Sequence, residues 1–462
     1  GKTRVVDEIF AGKVEKEGGH GNVEWAIAWF GGDDGFSSSY CNTIPTADGG
    51  THEQGFRTAL TRSLKNYADL KNNKRANAVT ADDVMTSSGS LLSVFIREPE
   101  FQGQTKDRLA SVEALRIVEN AVRDHFDHWL TGHPAHPGDI ALLKYFHIPG
   151  QDIVWRYIEP FQDKSIEGPQ STMAKCSASA QRHYGRPRNA NECFGAYGWE
   201  FTFEESQWIT NWLLVRGVNL LMPHAFYYSV RDKRRDERPP DVGPNNTWWD
   251  RYRPYADYCR RMCWLIAQSA HICDTAILGA PTQLPWRAAR TLFEHQRDFC
   301  YLDRDTLLDA SSVDAAAVRV RDMAYKAIVV DGPGYTDEAV LAKLRPMIEA
   351  GRVVACTEAV PGIGVLAPDP DSLVARLAEL AAPDVAVDPQ QPGLRCLHLR
   401  DGDADMYLFV NEAPETLRCA VTVRDARNAR EWWNPHTAEV LADAPPDALE
   451  IPPYEGRLLR CS

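Results

Sequence analysis

The stretch RPRNANECFGAYGWEFTFEESQWITNWLLVRGVNLLMPHAFYYS, residues 186–229, decides the fold that the sequence predicts. It indicates a strand that ends near Glu192, followed by a helix with an apolar period of about 3.6 residues. Gly217 then stands where a helix is expected to end, and a short apolar strand leads into His224. The order of strand, loop, helix, strand and loop predicts one and a half β/α units.

Polar and aromatic side chains lie just past the end of each strand in this stretch. In a (β/α)₈ barrel the active site is built at that edge of the sheet. A carboxylate such as Glu192 among aromatic rings suits glycoside chemistry, because carboxylates act as acid, base or nucleophile and flat rings pack against sugar faces. The alternative is that Glu192 is an ordinary loop carboxylate and that the aromatic residues belong to the core.

The side chains predicted to share a substrate cleft with Glu192 come from three strand ends. We expect them to bind sugar hydroxyls and to stack on ring faces; they are His147, Asp152, Trp155, His224, Tyr227 and Tyr228. Hydrolysis by the usual route needs a second carboxylate, about 5 Å away in retaining enzymes and about 6.5–9.5 Å away in inverting ones. We expect none to be held at that distance, although the nearby candidates are Asp152, Glu200, Asp236 and Asp241.

Length and charge exclude some classes of protein. The 462 residues carry a formal net charge of -13, which argues against a general polyanion-binding surface. No run of about eighteen apolar residues is present, so we expect no transmembrane helix and no membrane partner. The start, GKTRVVDEIF, has neither a Met nor the apolar segment of a signal peptide, and it predicts a chain shortened at its N-terminus.

The cysteine pattern predicts reduced thiols and no metal site. Eleven cysteines are scattered without a CxxC pair. Cys259 and Cys263 are four residues apart, but the further ligands of a zinc site are missing. The run DGDAD, residues 401–405, lacks the glutamate that completes a calcium loop. Unpaired cysteines of this kind are typical of a cytoplasmic protein.

Residues 1–130 carry three motifs of their own. They are YCNTIPTADGGTHEQGFRTAL at 40–60, LSVFIREPEFQGQTKDRL at 92–109 and VENAVRDHFDHWL at 118–130. These motifs resemble the transducer domain of bacterial type IIA topoisomerase B subunits, that of topoisomerase IV more closely than that of DNA gyrase. The resemblance implies a ribosomal-S5-type α/β fold for this segment.

The same resemblance implies a role for one loop. Gln104 and Lys106 would fall in the loop that reaches the γ-phosphate of ATP in a neighbouring ATPase domain. A lysine suits that task as a compact cation beside a terminal phosphate. The ATPase domain, which would hold ATP with Mg, and DNA would be the partners of this part. The alternative for Lys106 alone is a solvated loop lysine.

Four motifs in residues 139–273 carry a second resemblance. They are YFHIPGQDIVWR at 145–156, NECFGAYGWE at 191–200, RGVNLLMPHAFYYS at 216–229 and RRDERPPDVGPN at 234–245. They are similar to the C-terminal half of the catalytic barrel in α-L-rhamnosidase-like and β-galactosidase-like glycoside hydrolases. The resemblance makes the three strands the sixth, seventh and eighth, the first of them predicted at 139–146.

On that resemblance Glu192 stands at the end of the seventh strand. This is the position of the nucleophile in retaining enzymes, and a glutamate there would be the base in inverting rhamnosidases. The second carboxylate would belong to the fourth strand, for which the chain has no counterpart. The resemblance implies a carbohydrate substrate and no cofactor for this part.

The remaining segments complete a multidomain α/β architecture. Residues 131–138, rich in Pro, Gly and His, are predicted to be a linker. Alternating strands and helices at 274–385 predict a flavodoxin-like α/β domain, with one helix expected at 292–298. Short strands at 386–462 predict a β-sandwich, so the parts in order are the transducer domain, a partial (β/α)₈ barrel, the flavodoxin-like domain and the sandwich.

The sequence therefore predicts two unrelated fragments in one reading frame, through a gene fusion or an assembly artefact. Three functions remain open. The first is hydrolysis of O-glycosidic bonds through Glu192, expected to be very weak or absent without the rest of the barrel. The second is a module of an ATP-dependent topoisomerase that acts through Gln104 and Lys106. The third is an inactive chimera.

Overall fold

The computed structural model divides into two compact units, Gly1–His133 and Pro134–Ser462. The residues that it describes are 5, 9–14, 20–31, 35–70, 78–103, 105–131, 143–279, 284–424, 429–442, 444–445 and 447–462. For residues 66–70, 124, 127–128 and 130–131 it describes the backbone alone.

The first unit is built on a five-stranded sheet with two long helices. Its strands are β1 (Phe10–Val14), β2 (Asn22–Trp29), β3 (Phe36–Cys41), β4 (Ile44–Pro45) and β5 (Ser88–Phe95), in the order β1-β2-β5-β3-β4. A hairpin of β6 (Phe101–Gln102) and β7 (Arg108–Leu109) follows. The helices are α1 (Thr51–Leu70), α2 (Ala81–Thr86) and α3 (Val112–Thr131).

In the core of the first unit, apolar residues at alternate positions of a strand pack with apolar residues at helical spacing on α3. Val23, Trp25 and Ile27 alternate along β2 and are all buried. Val118 and Val122, four residues apart on α3, are buried in the same cluster. One face of the sheet is thus covered by apolar helix surface, which is the usual way to bury a half-polar sheet.

The second unit begins with a three-stranded parallel sheet. Its strands are β8 (Gly150–Ile153), β9 (Ala190–Cys193) and β10 (Leu220–Pro223), in the order β10-β9-β8. The helices that follow them are α4 (Met173–His183), α5 (Phe203–Val215) and α6 (Tyr252–Gln268), with 3-10 turns at Asp163–Ser165, Pro169–Thr172, Asp232–Asp236 and Trp249–Arg251.

A capping box fixes the start of α5. The Thr202 hydroxyl accepts from the Glu205 N–H at 3.1 Å, and the Glu205 carboxylate accepts from the Thr202 N–H at 2.7 Å. Trp208 and Trp212, one turn apart, are then buried against the sheet. The strand, helix and strand predicted within 186–229 are therefore present.

The strand predicted at 139–146 is wrong. None of residues 143–148 is in a strand, residues 139–142 lie outside the described part of the chain, and the strand runs over Gly150–Ile153 instead. The apolar run before His147 has the composition of a buried strand, whereas the observed strand has polar side chains at Gln151 and Asp152. A strand with one solvent-facing side needs apolar residues only at alternate positions.

A five-stranded parallel sheet follows in the second unit. The strands in chain order are β11 (Ala270–His271), β12 (Thr275–Leu278), β13 (Cys300–Leu302), β14 (Ser312–Val313), β15 (Val318–Val320), β16 (Met323–Tyr325), β17 (Ala327–Asp331), β18 (Val353–Cys356) and β19 (Leu366–Ala367). The parallel sheet has the order β13-β12-β17-β18-β19, and β14 to β16 form a small antiparallel sheet. The helices are α7 (Trp286–Glu294), α8 (Arg304–Asp309), α9 (Glu338–Glu349) and α10 (Pro370–Leu380).

Both faces of the parallel sheet are covered, because β12 and β18 are buried at every position. The helix predicted at 292–298 is wrong in its bounds. It begins earlier, directly after Pro285, and has ended by His295.

The last strands form two antiparallel sheets. They are β20 (Val385–Asp388), β21 (Leu394–Asp401), β22 (Ala404–Asn411), β23 (Leu417–Val423), β24 (Arg430–Asn434), β25 (Glu439–Val440), β26 (Ala448–Ile451) and β27 (Gly456–Cys461). One sheet has the order β11-β21-β22-β27-β24-β25 and the other β20-β23-β26. Buried side chains from both sheets share one apolar cluster, among them Tyr407, Phe409, Val421 and Ile451.

Candidate active site

Asp152 and Glu192 are neighbours on adjacent parallel strands. Register pairs Asp152 on β8 with Glu192 on β9, and Glu192 with Met222 on β10. Neighbouring strands lie about 4.8 Å apart, and partners in register point to the same face. The next residues, Ile153 and Cys193, are buried in the core on the opposite face. The three-stranded sheet therefore presents a carboxylate pair on the face away from its helices.

The pKa of Asp152 is shifted upwards. Burial first, and the charge of Glu192 second, raise this pKa to about 6. Asp152 is nevertheless exposed to water, which screens the Glu192 charge and weakens both effects. A carboxyl group that still holds its proton near pH 6 is suited to act as an acid beside an ionised partner.

The expectation that no second carboxylate is held at catalytic distance from Glu192 stays a prediction, although Asp152, one of the four nearby candidates, is its neighbour on the adjacent strand. The sequence places Asp152 in a loop after a strand, but the residue lies within β8 and in register with Glu192. Tyr157, which sequence reasoning does not single out, also lies near this carboxyl group. Burial, and then the Asp152 charge, raise the pKa of Tyr157 to about 12. No motif marks this tyrosine in the sequence.

The other three candidate carboxylates have structural partners. Asp241 is fully buried, and its carboxylate accepts from the N–H groups of Tyr227 at 3.0 Å, Gly243 at 2.9 Å and Asn245 at 2.9 Å. Glu200 pairs with Arg156 at 3.1 Å. Asp236 pairs with its neighbour Arg235 at 3.1 Å. Asp241 thus holds the loop that follows β10 in its conformation.

His224 lies at the carboxyl end of β10, next to the end of β9. The backbone N–H of His224 donates to the carbonyl oxygen of Cys193 at 2.8 Å. A Cβ atom on Gly195 would lie 3.2 Å from the His224 ring, so the ring packs directly on this glycine. The Nδ1 atom of His224 is buried and has no hydrogen-bond partner among the described residues. This ring nitrogen is therefore left unsatisfied beside the carboxyl ends of β9 and β10.

Tyr227 packs edge-on against His224, with ring centroids 6.2 Å apart. Its hydroxyl donates to the carbonyl oxygen of Arg238 at 2.8 Å and also contacts that of Glu237. Burial, followed by the charges of Glu237 and Asp241, raises the pKa of Tyr227. The hydroxyl is thus occupied by the backbone, and the ring orients His224.

Trp155 follows β8 and is 43% exposed. The backbone N–H of Trp155 donates to the carbonyl oxygen of Gly195 at 2.8 Å. The guanidinium of Arg238 lies 5.3 Å from the centroid of the Trp155 ring. The exposed ring and the cation stand at the same strand ends as His224. Arg238 lies in the motif RRDERPPDVGPN at 234–245, but nothing in the sequence marks it as a neighbour of Trp155.

Two predicted cleft residues are placed differently. His147 precedes β8 and is exposed, so it lies towards the amino ends of the strands rather than the carboxyl ends. This follows from the error in the bounds of the strand. Tyr228 is 100% exposed, and its side chain does not line a recess.

In the first unit Lys106 lies on the β6–β7 loop. It is exposed, its φ is 61°, and its ammonium lies 5.9 Å from the Phe101 ring centroid. Gln104 lies outside the described residues.

The described part of the chain holds no candidate metal-binding cluster and no candidate membrane span. Nowhere within it do three or more His, Cys, Asp or Glu side chains come together in a way that would hold a metal ion. None of the helices in that part has both the length and the apolar character needed to cross a bilayer.

Comparison with known families separates the two parts of the chain. Residues 1–142 match the family model for DNA gyrase B, and residues 154–378 match the model for alpha-L-rhamnosidase. These matches confirm both resemblances found in the sequence.

The relatives that match the first part include B subunits of DNA topoisomerase 4. The B subunit of DNA topoisomerase 4 from Bartonella bacilliformis is 62% identical over 133 residues, which are 29% of this chain and 19% of that protein. The corresponding protein from Caulobacter vibrioides is 56% identical over 200 residues, 42% of this chain and 27% of that protein. The chain thus spans less than a third of the length of either relative.

A solved structure matches the fold of the larger part. The rhamnosidase from Novosphingobium sp. PP1Y aligns with a TM-score of 0.55 and 16% identity, and covers 76% of this chain and 40% of that one. At this identity the likeness concerns the fold alone. The chain therefore joins a segment similar to topoisomerase B subunits to a segment similar to glycoside hydrolases.

Proposed function

We propose that the second part of the chain hydrolyses O-glycosidic bonds at the face that carries Glu192 and Asp152. The observation that carries the proposal is their register on adjacent strands. Glu192 lies within residues 154–378, the segment that matches the alpha-L-rhamnosidase model, and Asp152 lies just before that segment. Glu192 serves as nucleophile or base, and Asp152, whose pKa is raised, supplies the proton to the leaving group. The substrate is a carbohydrate, and no cofactor takes part.

The sugar is bound by the groups at the carboxyl ends of the three strands. The free Nδ1 of His224 binds a hydroxyl group, and the exposed ring of Trp155 packs against a sugar face. The same proposal includes the fold of each domain in the second part of the chain. The three strands are part of a (β/α)₈ barrel, the five-stranded parallel sheet is a flavodoxin-like accessory domain, and the last strands form a β-sandwich.

Hydrolysis of nitrophenyl glycosides, with the α-L-rhamnoside among them, tests this proposal. Such leaving groups need little protonation, so a slow rate above background is expected even from a partial barrel. Glu192→Gln should lower that rate at least about 100-fold, because an amide is neither nucleophile nor base. Glu200→Gln is the matched control, since Glu200 follows the same strand but is exposed and paired with Arg156.

Two results would contradict the proposal. One is a wild-type rate that Glu192→Gln leaves unchanged. The other is a chain that is folded but shows no hydrolysis of any nitrophenyl glycoside, which is the outcome expected of an inactive chimera.

We infer a second function for the first part, because 62% identity links it to a topoisomerase subunit. In this proposal Gln104 and Lys106 contact the γ-phosphate of ATP held with Mg in a separate ATPase domain, and DNA is the further partner. Lysine supplies one cation and no pocket for base or ribose, so the chain alone should not hydrolyse ATP. ATP turnover that disappears in Lys106→Ala would overturn this expectation. The scattered, unpaired cysteines favour a cytoplasmic location for the protein.

A further inference from the structure

The loop of residues 231–238 carries positive charge in the second unit. Its sequence, RDKRRDER, holds five cationic and three anionic side chains, a net charge of +2, whereas the whole chain carries -13. All eight of these residues are exposed. A positive segment on a negative chain is suited to attract an anionic ligand.

Backbone hydrogen bonds hold the end of this loop beside the end of β9. The carbonyl oxygen of Arg238 accepts from the Ala196 N–H at 3.3 Å and from the Tyr227 hydroxyl at 2.8 Å. The next carbonyl oxygen, that of Pro239, accepts from the Gly198 N–H at 3.0 Å. The backbone of Arg238 is therefore fixed in place, although its side chain is exposed.

Trp155 and Arg238 both have left-handed backbone conformations. Their φ angles are 56° and 55°. This conformation is uncommon for residues of this size and persists only where the surrounding structure holds it, which is most often at binding and catalytic sites. For Trp155 the support is the hydrogen bond from its backbone N–H to the carbonyl oxygen of Gly195 at 2.8 Å.

The side chains of these two residues meet. The Arg238 guanidinium lies 5.3 Å from the centroid of the Trp155 ring, within the range of a cation–π contact, yet the tryptophan remains 43% exposed. A guanidinium has five N–H donors in its own plane, so a contact with one partner does not use them all. Exposed ring surface and a fork of donors thus stand side by side.

The same contacts continue to His224. Its ring packs against that of Tyr227, with centroids 6.2 Å apart, and Tyr227 in turn bonds to the backbone of Arg238. On the other side, a Cβ atom on Gly195 would lie 3.2 Å from the His224 ring. The Nδ1 atom of His224 is buried and has no hydrogen-bond partner among the described residues. Trp155, His224 and Arg238 therefore belong to one contiguous cluster.

We propose that the glycoside bound in the second unit is acidic, and that Arg238 binds its carboxylate or sulfate group while the sugar ring packs on Trp155. This inference rests on the proposed function in taking the ligand to be a glycoside, since Gly195 lies three residues after Glu192. The planar guanidinium pairs with two oxygen atoms of such an anion at once, which a lysine ammonium does not do.

Binding to the wild-type full chain, rather than hydrolysis, tests this proposal. One pair of probes is a disaccharide of α-L-rhamnose linked to D-glucuronic acid and the uncharged methyl ester of that disaccharide. The other pair is α-L-rhamnosyl galactose with a sulfate group on the galactose and without it. Titration calorimetry at low salt should show that the charged member of at least one pair binds about tenfold more tightly than its neutral member. The pair that shows this difference identifies the anion as a carboxylate or a sulfate.

Two variants assign the preference to Arg238. Arg238→Gln should remove the preference for the charged probe and leave the affinity for the neutral probe unchanged. Arg234→Gln is the matched control, because it removes an exposed cation from the same loop, and it should keep the preference. Added salt should weaken the binding of the charged probe alone, since exposed charges are screened.

Equal binding of the charged and neutral members in both pairs would overturn the proposal, and so would the absence of binding by every probe. Equal losses in Arg238→Gln and Arg234→Gln would assign the preference to the overall charge of the loop and overturn the role of Arg238. The wild-type comparison decides the class of ligand even if a variant fails to fold. A chain that prefers a charged probe but hydrolyses no nitrophenyl glycoside would contradict the proposed hydrolysis and support this inference.

Discussion

Replacing Asp152 by Asn should stabilise the second unit near pH 7.5 and leave its stability at pH 4 nearly unchanged. The pKa of Asp152 rises from 3.8 to about 6 in the folded state, so the folded chain holds this proton more tightly than the unfolded chain. The stability gained from that proton is complete below about pH 4 and is lost as the pH rises through about 6. Asparagine carries no charge at either pH and does not suffer this loss.

The magnitude follows from the size of the shift. A rise from 3.8 to about 6 corresponds to about 3 kcal/mol of lost stability at neutral pH for a group shielded from water. Asp152 is exposed, and water screens its neighbour's charge, so we expect about 1 kcal/mol. In the proposed hydrolysis, Asp152 would lower the stability of the fold in exchange for activity.

Urea unfolding followed by tryptophan fluorescence at the two pH values measures this difference, because Trp208 and Trp212 are buried beside β9. Asp236→Asn is the control, since Asp236 is exposed and should give no gain at either pH. A variant Asp152→Asn that is no more stable than the wild type at pH 7.5 would refute the account of this carboxyl group. Equal gains at both pH values would refute it as well.

Two further substitutions test the fold around the site. Glu412→Gln removes the carboxylate that the buried guanidinium groups of Arg216 and Arg395 share, at 2.5 Å and 2.9 Å. The substitution should lower the free energy of unfolding, measured in urea, by about 3–5 kcal/mol. A loss below about 1 kcal/mol would contradict the importance of this ion-pair network. Asp241→Ala removes the acceptor of three backbone N–H groups, and should speed tryptic cleavage of the arginine-rich loop before it, whereas unchanged cleavage would show that the loop does not depend on Asp241.

The pattern of residues predicts local structure well where one physical cause dominates. The helix α5 shows this, because its apolar period, its capping box and the glycine after it all favour the same element. The strand β8 shows the reverse. Its sequence, GQDI, has little apolar content, and the apolar run just before it is a better strand by composition.

The candidate site could be predicted only in part. Glu192 and His224 stand at strand ends, which local patterns reveal. The pairing of Asp152 with Glu192 depends on the register of two strands forty residues apart (Asp152 to Glu192), and no local pattern encodes that register. Asp241 looks equivalent to Asp152 in the sequence, yet backbone N–H groups occupy its carboxylate.

Chemical rescue of Glu192→Ala by azide tests the central claim most directly. Removing the carboxylate leaves a space that a small anion can fill, and azide then takes the place of the missing group at the sugar carbon. The account predicts that hydrolysis of a nitrophenyl glycoside falls to background in this variant, and that azide restores release of nitrophenol with a glycosyl azide as product. Glu200→Ala should show neither effect. A Glu192→Ala variant that hydrolyses the glycoside at the wild-type rate, or that azide leaves inert, would contradict the account.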